Sequence, residues 1–159
     1  MVKNIFLGLL IFISACSKQN LKNIEKPATG NISLSNLKKT AWFDNEYRNY
    51  KTDNTLIDSI NLRDYKITII GGNWCSDTRL QLPRFIKIIE KAGYDKKTMK
   101  IIFVDRKKKC PDCKDSIAKY KVTFIPVFIL YNNNGEEKGR ITESPSKSLE
   151  ADILNILRK

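Results

Sequence analysis

The sequence predicts an α/β fold in which a mixed four-stranded sheet is flanked by helices. Two observations support this prediction. Between residues 67 and 120, apolar runs typical of buried strands alternate with segments of helical period, an order typical of parallel strands joined by crossovers. A turn signal then separates two further strand-like runs, which indicates an antiparallel hairpin. A last amphipathic segment covers the sheet and completes the order β-α-β-α-β-β-α.

The strands are predicted from buried apolar runs and from one turn signal. The run Asn132-Asn133-Asn134-Gly135 is typical of a hairpin turn, so it separates the last two strands. The predicted strands are residues 67–70, 99–104, 127–131 and 138–142.

The helices are predicted from apolar stripes and from residues that begin or end helices. Pro83 is expected to kink or delay the helix in which it lies, and Gly93 is expected to end that helix. Ser146 or Ser148 is expected to cap the last helix. The predicted helical segments are an N-terminal helical extension with one or two helices at 36–63, then 78–92, 112–120 and a C-terminal helix that follows the cap.

The first 15 residues have the pattern of a signal peptide. Lys3 supplies a positive charge, and residues 5–13 form an apolar run that is too short to span a bilayer as a helix. Small residues then precede Cys16, and this pattern resembles a bacterial lipobox. The resemblance implies cleavage before Cys16 and a covalent lipid, diacylglycerol, on its sulfur, with acylation of its amine giving a stable membrane anchor. The alternative is an ordinary secretory signal that happens to hold a cysteine.

Composition assigns the rest of the chain to a tether and one domain. Residues 16–35 are polar and predict a flexible lipidated tether, which leaves 36–159 as the domain. The formal net charge is +12, but the basic residues are spread out and no recognition motif accompanies them. This pattern indicates attraction to anionic envelope surfaces and no nucleic-acid partner.

These features predict a monomer in the bacterial cell envelope, held by its lipid anchor and facing the periplasm. Ser17 and Lys18 do not form a strong signal for retention in the inner membrane, so the outer membrane is favoured.

The chain has four cysteines and no histidine. The absence of histidine excludes a Cys-His or Ser-His-Asp catalytic pair and histidine-ligated haem or zinc. Cys75 lies between the first predicted strand and the helix that follows it. A cysteine at a helix N-terminus meets unpaired N–H groups and the helix dipole, which favour the thiolate, the nucleophile of sulfur redox chemistry.

Two motifs together resemble the thioredoxin family over about residues 64–158. They are Trp74-Cys75 after the first strand and Phe124-Ile125-Pro126-Val127 before the hairpin, and Asp77 gives the Trp-Cys-x-Asp variant. The resemblance implies a thioredoxin fold that exchanges protein thiols and disulfides without a cofactor. It also implies that Cys75 is the attacking thiolate.

The resemblance further implies a cis Ile125-Pro126 bond that lies against Cys75, with these two residues positioning a client. Trp74 would shield the thiol and offer the client a flat surface. From the residues alone, Pro126 also fits a trans proline that begins an edge strand, and Trp74 also fits an ordinary core position.

The sequence departs from dithiol thioredoxins at three positions. Thr78 replaces the second cysteine, so the motif cannot resolve its own mixed disulfide, although its hydroxyl can hydrogen-bond the thiolate. Asp77 either opposes the thiolate by its charge or caps the helix, and capping is the favoured interpretation. Ile69 stands where dithiol thioredoxins have a buried acid.

A Cys-x-x-Cys sequence occurs elsewhere, at Cys110-Pro111-Asp112-Cys113, after the second predicted strand. The carboxyl ends of parallel strands share one edge of a sheet, so this pair is expected near Cys75. We hypothesise that the pair resolves Cys75 or exchanges with clients directly. The alternatives are a static disulfide and, although no metal is expected, a three-thiolate site for Cu(I) or Zn²⁺.

The favoured function is therefore thiol–disulfide exchange at Cys75, with Cys110 and Cys113 as the auxiliary catalytic pair. The alternative is a non-catalytic thioredoxin-fold binding or scaffold lipoprotein, which keeps the groove beside Trp74 and Pro126.

Overall fold

The computed structural model describes residues 27–113 and 117–159, so the predicted signal peptide and Cys16 lie outside the described residues. Within these ranges the strands are Gly30–Asn31 (β1), Tyr65–Gly71 (β2), Lys100–Phe103 (β3), Val127–Asn132 (β4) and Glu137–Thr142 (β5). The α-helices are Leu34–Leu37 (α1), Ala41–Asn49 (α2), Asn54–Ile57 (α3), Ser76–Lys91 (α4) and Leu149–Leu157 (α5). In this part of the chain, no helix is long and apolar enough to cross a bilayer.

The strands form one mixed sheet in the order β1-β3-β2-β4-β5. At its centre, β2 pairs parallel with β3 and antiparallel with β4. The predicted turn joins β4 to β5: the N–H of Gly135 donates to the carbonyl oxygen of Asn132 at 3.0 Å. Gly135 has a φ of 82°, which glycine adopts more readily than other residues. The predicted mixed α/β sheet flanked by helices is thus confirmed.

The sheet has one more strand than predicted. Strand β1 pairs antiparallel with β3 at the edge of the sheet, with Gly30 opposite Phe103. The N–H of Ile32 continues this contact by donating to the carbonyl oxygen of Ile101 at 2.9 Å. Residues 30–35 were expected in the flexible tether, but here they belong to the domain, whose boundary therefore lies before residue 36. A strand of two residues has no hydrophobic period, so the pattern did not indicate it.

The helices differ from the prediction mainly in their lengths. The helical extension expected at 36–63 has three short helices, α1–α3, rather than one or two, and the first of them begins two residues earlier, at Leu34. Helix α4 begins at Ser76 and continues through Pro83, which neither delays nor interrupts it. The helix predicted at 112–120 is described only as a short 3₁₀ helix, Ile117–Tyr120. The oxygen of Ser148 caps α5 by accepting from the N–H of Ala151 at 3.1 Å.

The alternation of side chains along the strands divides the core into two clusters, one on each face of the sheet. The larger cluster joins the sheet to the helices, and at its centre the rings of Phe85 and Phe128 stack with their centroids 4.3 Å apart. The second face of the sheet carries a smaller cluster, here called the site-side cluster. Its buried members are Ile70, Ile102, Val104, Tyr120, Ile125, Val127 and Ile129.

Glu90 in α4 connects the helical extension to the rest of the domain. Its carboxylate accepts hydrogen bonds from Nζ of Lys38 at 2.8 Å, the hydroxyl of Tyr47 at 2.6 Å and Nζ of Lys96 at 2.7 Å. Burial alone raises the pKa of Glu90, but the hydrogen bonds from Lys38, Lys96 and Tyr47 outweigh it and hold this pKa below its ordinary value. Burial and the neighbouring carboxylate raise the pKa of Tyr47 to about 12.

Replacing Phe128 with alanine is expected to lower the free energy of unfolding by about 3–5 kcal/mol, because the change empties a fully buried position and leaves Phe85 without its stacking partner. Chemical denaturation measures the loss. The matched control is Phe124→Ala, since Phe124 is 53% exposed and its loss is expected to cost no more than about 0.5 kcal/mol. Equal losses in the two variants would contradict this account of the core.

Replacing Glu90 with glutamine is expected to lower the free energy of unfolding above about pH 5, where the native carboxylate is charged and the network is complete. The lowered pKa in the folded state means that this contribution is present above the unfolded pKa and disappears as pH falls through the folded pKa. The wild-type and variant curves should therefore converge in acid. Urea denaturation at a series of pH values tests this, and curves that stay parallel would show that Glu90 adds no such pH dependence.

Candidate functional site

The turn between β2 and α4 places Cys75 immediately before the first residue of the helix. Cys75 is the N-cap of α4, and its N–H donates to the carbonyl oxygen of Gly72 at 3.0 Å. The turn is tight because glycine leaves room for neighbouring side chains. A Cβ at Gly71 would lie 2.7 Å from Cγ2 of Thr78, and one at Gly72 would lie 2.7 Å from Nε1 of Trp74. Gly71 therefore lets α4 pack closely on the end of β2, and Gly72 leaves room for the ring of Trp74 within the turn.

The thiol of Cys75 lies beside the segment that precedes β4. It is the free cysteine of the described residues, it is half-buried, and its Sγ lies 3.5 Å from the carbonyl oxygen of Ile125. The peptide bond between Ile125 and Pro126 is cis. The carbonyl oxygen of Pro126 accepts a hydrogen bond of 2.7 Å from the N–H of Glu143, which follows β5. The cis bond and its position against the cysteine are thus as the resemblance implied.

Trp74 connects the turn after β2 to the end of β3. Its Nε1 donates to the carbonyl oxygen of Val104 at 2.8 Å, and the guanidinium of Arg106 lies 5.1 Å from the ring centroid. The ring packs against the site-side cluster but remains half-exposed. Trp74 is therefore held in one orientation and still presents part of its surface next to the thiol.

The structure corrects the expected roles of two residues in the motif. Thr78 is fully buried, and its hydroxyl oxygen accepts a hydrogen bond from the N–H of Gly72 at 3.2 Å. Among the described residues, no hydrogen bond joins that hydroxyl to Sγ of Cys75. Asp77 does not cap α4, because the N-cap is Cys75 and Asp77 lies within the first turn. A carboxylate at that place is favourable for the helix dipole.

Cys110 and Cys113 form a disulfide, with their Cα atoms 5.4 Å apart. Both cysteines, like Cys75, pack against the site-side cluster, so the predicted placement of the pair on the same side as Cys75 agrees with the fold. Because the disulfide uses two of the three sulfurs, the three-thiolate metal site is not formed in this arrangement. Within residues 27–113 and 117–159, no group of three or more potential ligand side chains is close enough to hold a metal ion.

An N-terminal strap, defined as residues 28–31, joins the two cysteine-bearing loops. The N–H of Ala28 donates to Oδ1 of Asn73 at 3.0 Å, and the hydroxyl of Thr29 donates to Oδ2 of Asp112 at 2.5 Å. The strap therefore contacts Asn73, two residues before Cys75, and Asp112, one of the two residues between Cys110 and Cys113. Sequence reasoning missed it, since hydrogen bonds that span 45 and 83 residues leave no local pattern.

Comparison with known families agrees with this geometry. The sequence model of the family described as Thioredoxin matches residues 29–153, which is more than half of the chain. The chain belongs to the thioredoxin family. No protein with a curated description matches it.

Three solved structures illustrate what this chain is similar to. A protein of unknown function from Pseudomonas aeruginosa is similar with a TM-score of 0.56 and 12% identity, covering 80% of this chain and 92% of that chain. An HIV epitope-scaffold is similar with a TM-score of 0.50 and 14% identity, covering 74% of this chain and 80% of that chain. The reduced thioredoxin pre-protein of Schistosoma mansoni shares 22% identity at a TM-score of 0.41, covering 66% and 86% respectively. The first two likenesses, at 12% and 14% identity, concern the fold alone.

Replacing Thr78 with valine in this thioredoxin-like domain is expected to lower the free energy of unfolding by about 1–3 kcal/mol. Valine keeps the shape of threonine but leaves the buried N–H of Gly72 without the oxygen that now accepts from it. The matched variant is Thr78→Ser, which keeps the oxygen, removes one methyl group and should cost about 1 kcal/mol. Urea denaturation compares the two. A larger loss in the serine variant would mean that methyl packing, not the hydrogen bond, is the role of Thr78.

Proposed function

We propose that this protein is a lipoprotein of the bacterial cell envelope that exchanges thiols and disulfides with protein clients through Cys75. One observation carries the proposal. Cys75 has a free thiol at the N-cap of a long helix, and its Sγ lies against the carbonyl oxygen that precedes a cis proline. A helix N-terminus favours negative charge, and the half-buried thiol remains open to a client on one side.

The first step is attack of the Cys75 thiolate on one sulfur of a client disulfide. A bond forms between Sγ of Cys75 and that sulfur, the client S–S bond breaks, and the second client sulfur leaves as a thiolate that takes up a proton. Ile125 and Pro126 present their backbone beside the reacting sulfur and so position the client chain, while Trp74 offers a fixed flat surface next to it. Thr78 has no thiol to complete the exchange.

The second step uses the auxiliary pair in its reduced form. A thiolate from Cys110 or Cys113 attacks Sγ of Cys75, the client leaves as a second thiol, and the pair then closes to its disulfide as Cys75 is released. Two electrons pass from the pair to the client disulfide, and an external dithiol must reduce the pair again. The packing of all three cysteines against the site-side cluster supports this route.

The anchoring part of the proposal rests on the sequence before residue 27. Cleavage before Cys16 and lipid on its sulfur would hold the domain at the membrane, facing the periplasm and most simply at the outer membrane. Mass spectrometry of the mature N-terminus tests this part separately from the chemistry. An N-terminus other than Cys16, or a Cys16 without lipid, would overturn it.

A single-turnover reaction separates the roles of the three cysteines. The fully reduced protein, freed of reductant, is mixed with a client disulfide, quenched by alkylation and analysed by mass spectrometry. Wild type should release both client thiols and form the Cys110–Cys113 disulfide. The matched Cys110→Ser/Cys113→Ser variant should stop at a mixed disulfide on Cys75, and Cys75→Ser should form no mixed disulfide at residue 75 and lose the reaction.

Two results would contradict the mechanism. Reaction of Cys75→Ser at the wild-type rate would assign the exchange to Cys110 and Cys113 alone. No reaction of the wild type, combined with measurable binding of the client, would favour the non-catalytic binding lipoprotein, for which the buried Thr78 in place of a second thiol is the supporting observation.

A further inference from the structure

A basic surface lies beside the candidate site and is not used by the mechanism. We call it the basic groove. It is an open cavity of about 650 Å³ bordered by two chain segments, the loop that carries the disulfide and the loop after the 3₁₀ helix. The residues that matter here are Lys108, Lys109 and Lys121, with the disulfide between Cys110 and Cys113 among the lining residues.

The positive charge in the groove is not neutralised within the described part of the protein. Two lysines outside the groove, Lys38 and Lys96, contact the carboxylate of Glu90. The ammonium groups of Lys108, Lys109 and Lys121 form no ion pair with any residue of 27–113 or 117–159. No carboxylate is present among the described residues that line the groove. The groove is therefore complementary to an anionic partner.

Two of these lysines occupy backbone conformations that favour glycine. Lys108 has a φ of 57° and Lys121 has a φ of 50°, both in the left-handed region. A side chain at such a position opposes folding, because its Cβ crowds the backbone. One strained lysine comes from each of the two segments that border the groove. Strain of this kind is a reason to look for function at the side chains that cause it.

The groove lies next to the chain segment that contacts Cys75. Lys121 stands four residues before Ile125, whose carbonyl oxygen contacts Sγ of Cys75. Between them, Phe124 is 53% exposed, and the ammonium of Lys108 lies 5.9 Å from the centre of its ring. A client chain that presents sulfur to Cys75 can therefore extend over an apolar ring and then over the lysines.

We propose that the groove selects clients whose reacting cysteine is flanked by acidic residues in an extended segment. This inference rests on the proposed function and names its substrate class. The carboxylates of such a client face the three lysines, while an apolar side chain next to the cysteine contacts Phe124. Opposite charges at this position act mainly by accelerating encounter with Cys75.

The experiment uses two short peptides that differ only in charge. Each carries one cysteine as a mixed disulfide with thionitrobenzoate, flanked by glutamates in one peptide and by glutamines in the other. Attack by Cys75 forms a Cys75–peptide disulfide and releases coloured thionitrobenzoate, so the absorbance gives the rate. The protein is first reduced, and Cys110 and Cys113 are then reoxidised to their disulfide. Within residues 27–113 and 117–159, this leaves Cys75 as the free thiol. Wild type is expected to react about tenfold faster with the acidic peptide at low ionic strength.

Matched variants locate the preference. Lys109→Gln/Lys121→Gln should lose most of it while its rate with the glutamine peptide stays unchanged. Lys51→Gln/Lys97→Gln removes the same charge from exposed positions outside the groove and should keep the preference. Lys121→Gly removes a groove charge and the backbone strain together, so a lower preference in that variant is not a result of unfolding.

Raising the salt concentration from about 0.1 M to 1 M shortens the screening length from about 10 Å to 3 Å. This should reduce the preference of the wild type for the acidic peptide.

The outcomes distinguish the inference from the function on which it rests. Equal rates with both peptides overturn the inference and leave the exchange at Cys75 standing. No reaction with either peptide overturns the proposed function, and the inference with it. If both double variants lose the preference for the acidic peptide equally, that preference comes from the net charge of the protein, and the inference about the groove is wrong. If the groove variant loses only its binding to vesicles of anionic phospholipid, the lysines serve a membrane surface and the inference is wrong.

Discussion

The parallel pairing of β2 with β3 is the constraint on which the candidate site depends. The register places Gly71 opposite Phe103, and the N–H of Val104 then donates to the carbonyl oxygen of Gly71 at 2.9 Å. Both strands thus end at the same edge, so their following loops emerge side by side. The bond from Trp74 to Val104 joins those loops directly. Any slip in this register would separate Cys75 from the loop that carries the disulfide.

Most of the fold could be predicted because its elements are long enough to have a period. β2 and β4 are buried apolar runs, and α4 has a wide apolar stripe, so their positions followed from local pattern. The edge strand β1 did not follow, because its pairing with β3 joins residues about 70 apart in a two-residue contact. The residues of the motif could be identified from their types and spacing. The hydrogen-bond partner of Thr78 could not, because it depends on the close approach of α4 to β2, which local sequence does not encode.

The replacement of a second thiol by threonine changes what that position does. The hydroxyl of Thr78 accepts from the backbone at the end of β2 and so supports the turn that holds Cys75. The remaining two sulfurs lie on the loop after β3, where a turn around Asp105 organises the backbone: its carboxylate accepts from the N–H groups of Lys107 and Lys109 at 2.8 Å each. The three cysteines of the described residues are in this way divided between the ends of two strands instead of lying in one helix turn.

The N-terminal strap also sets the direction from which the chain enters the domain. Because Ala28 and Thr29 contact the two cysteine-bearing loops, the chain that precedes them reaches the domain at the edge of the sheet that carries Cys75 and not at its far side. Under the proposed anchoring, eleven residue steps separate Cys16 from Pro27, and a fully extended chain of that length reaches about 40 Å at most. Cys75 would then stay within a thin layer next to the bilayer. The length of the tether would therefore limit the proposed exchange to disulfides that lie close to the membrane surface.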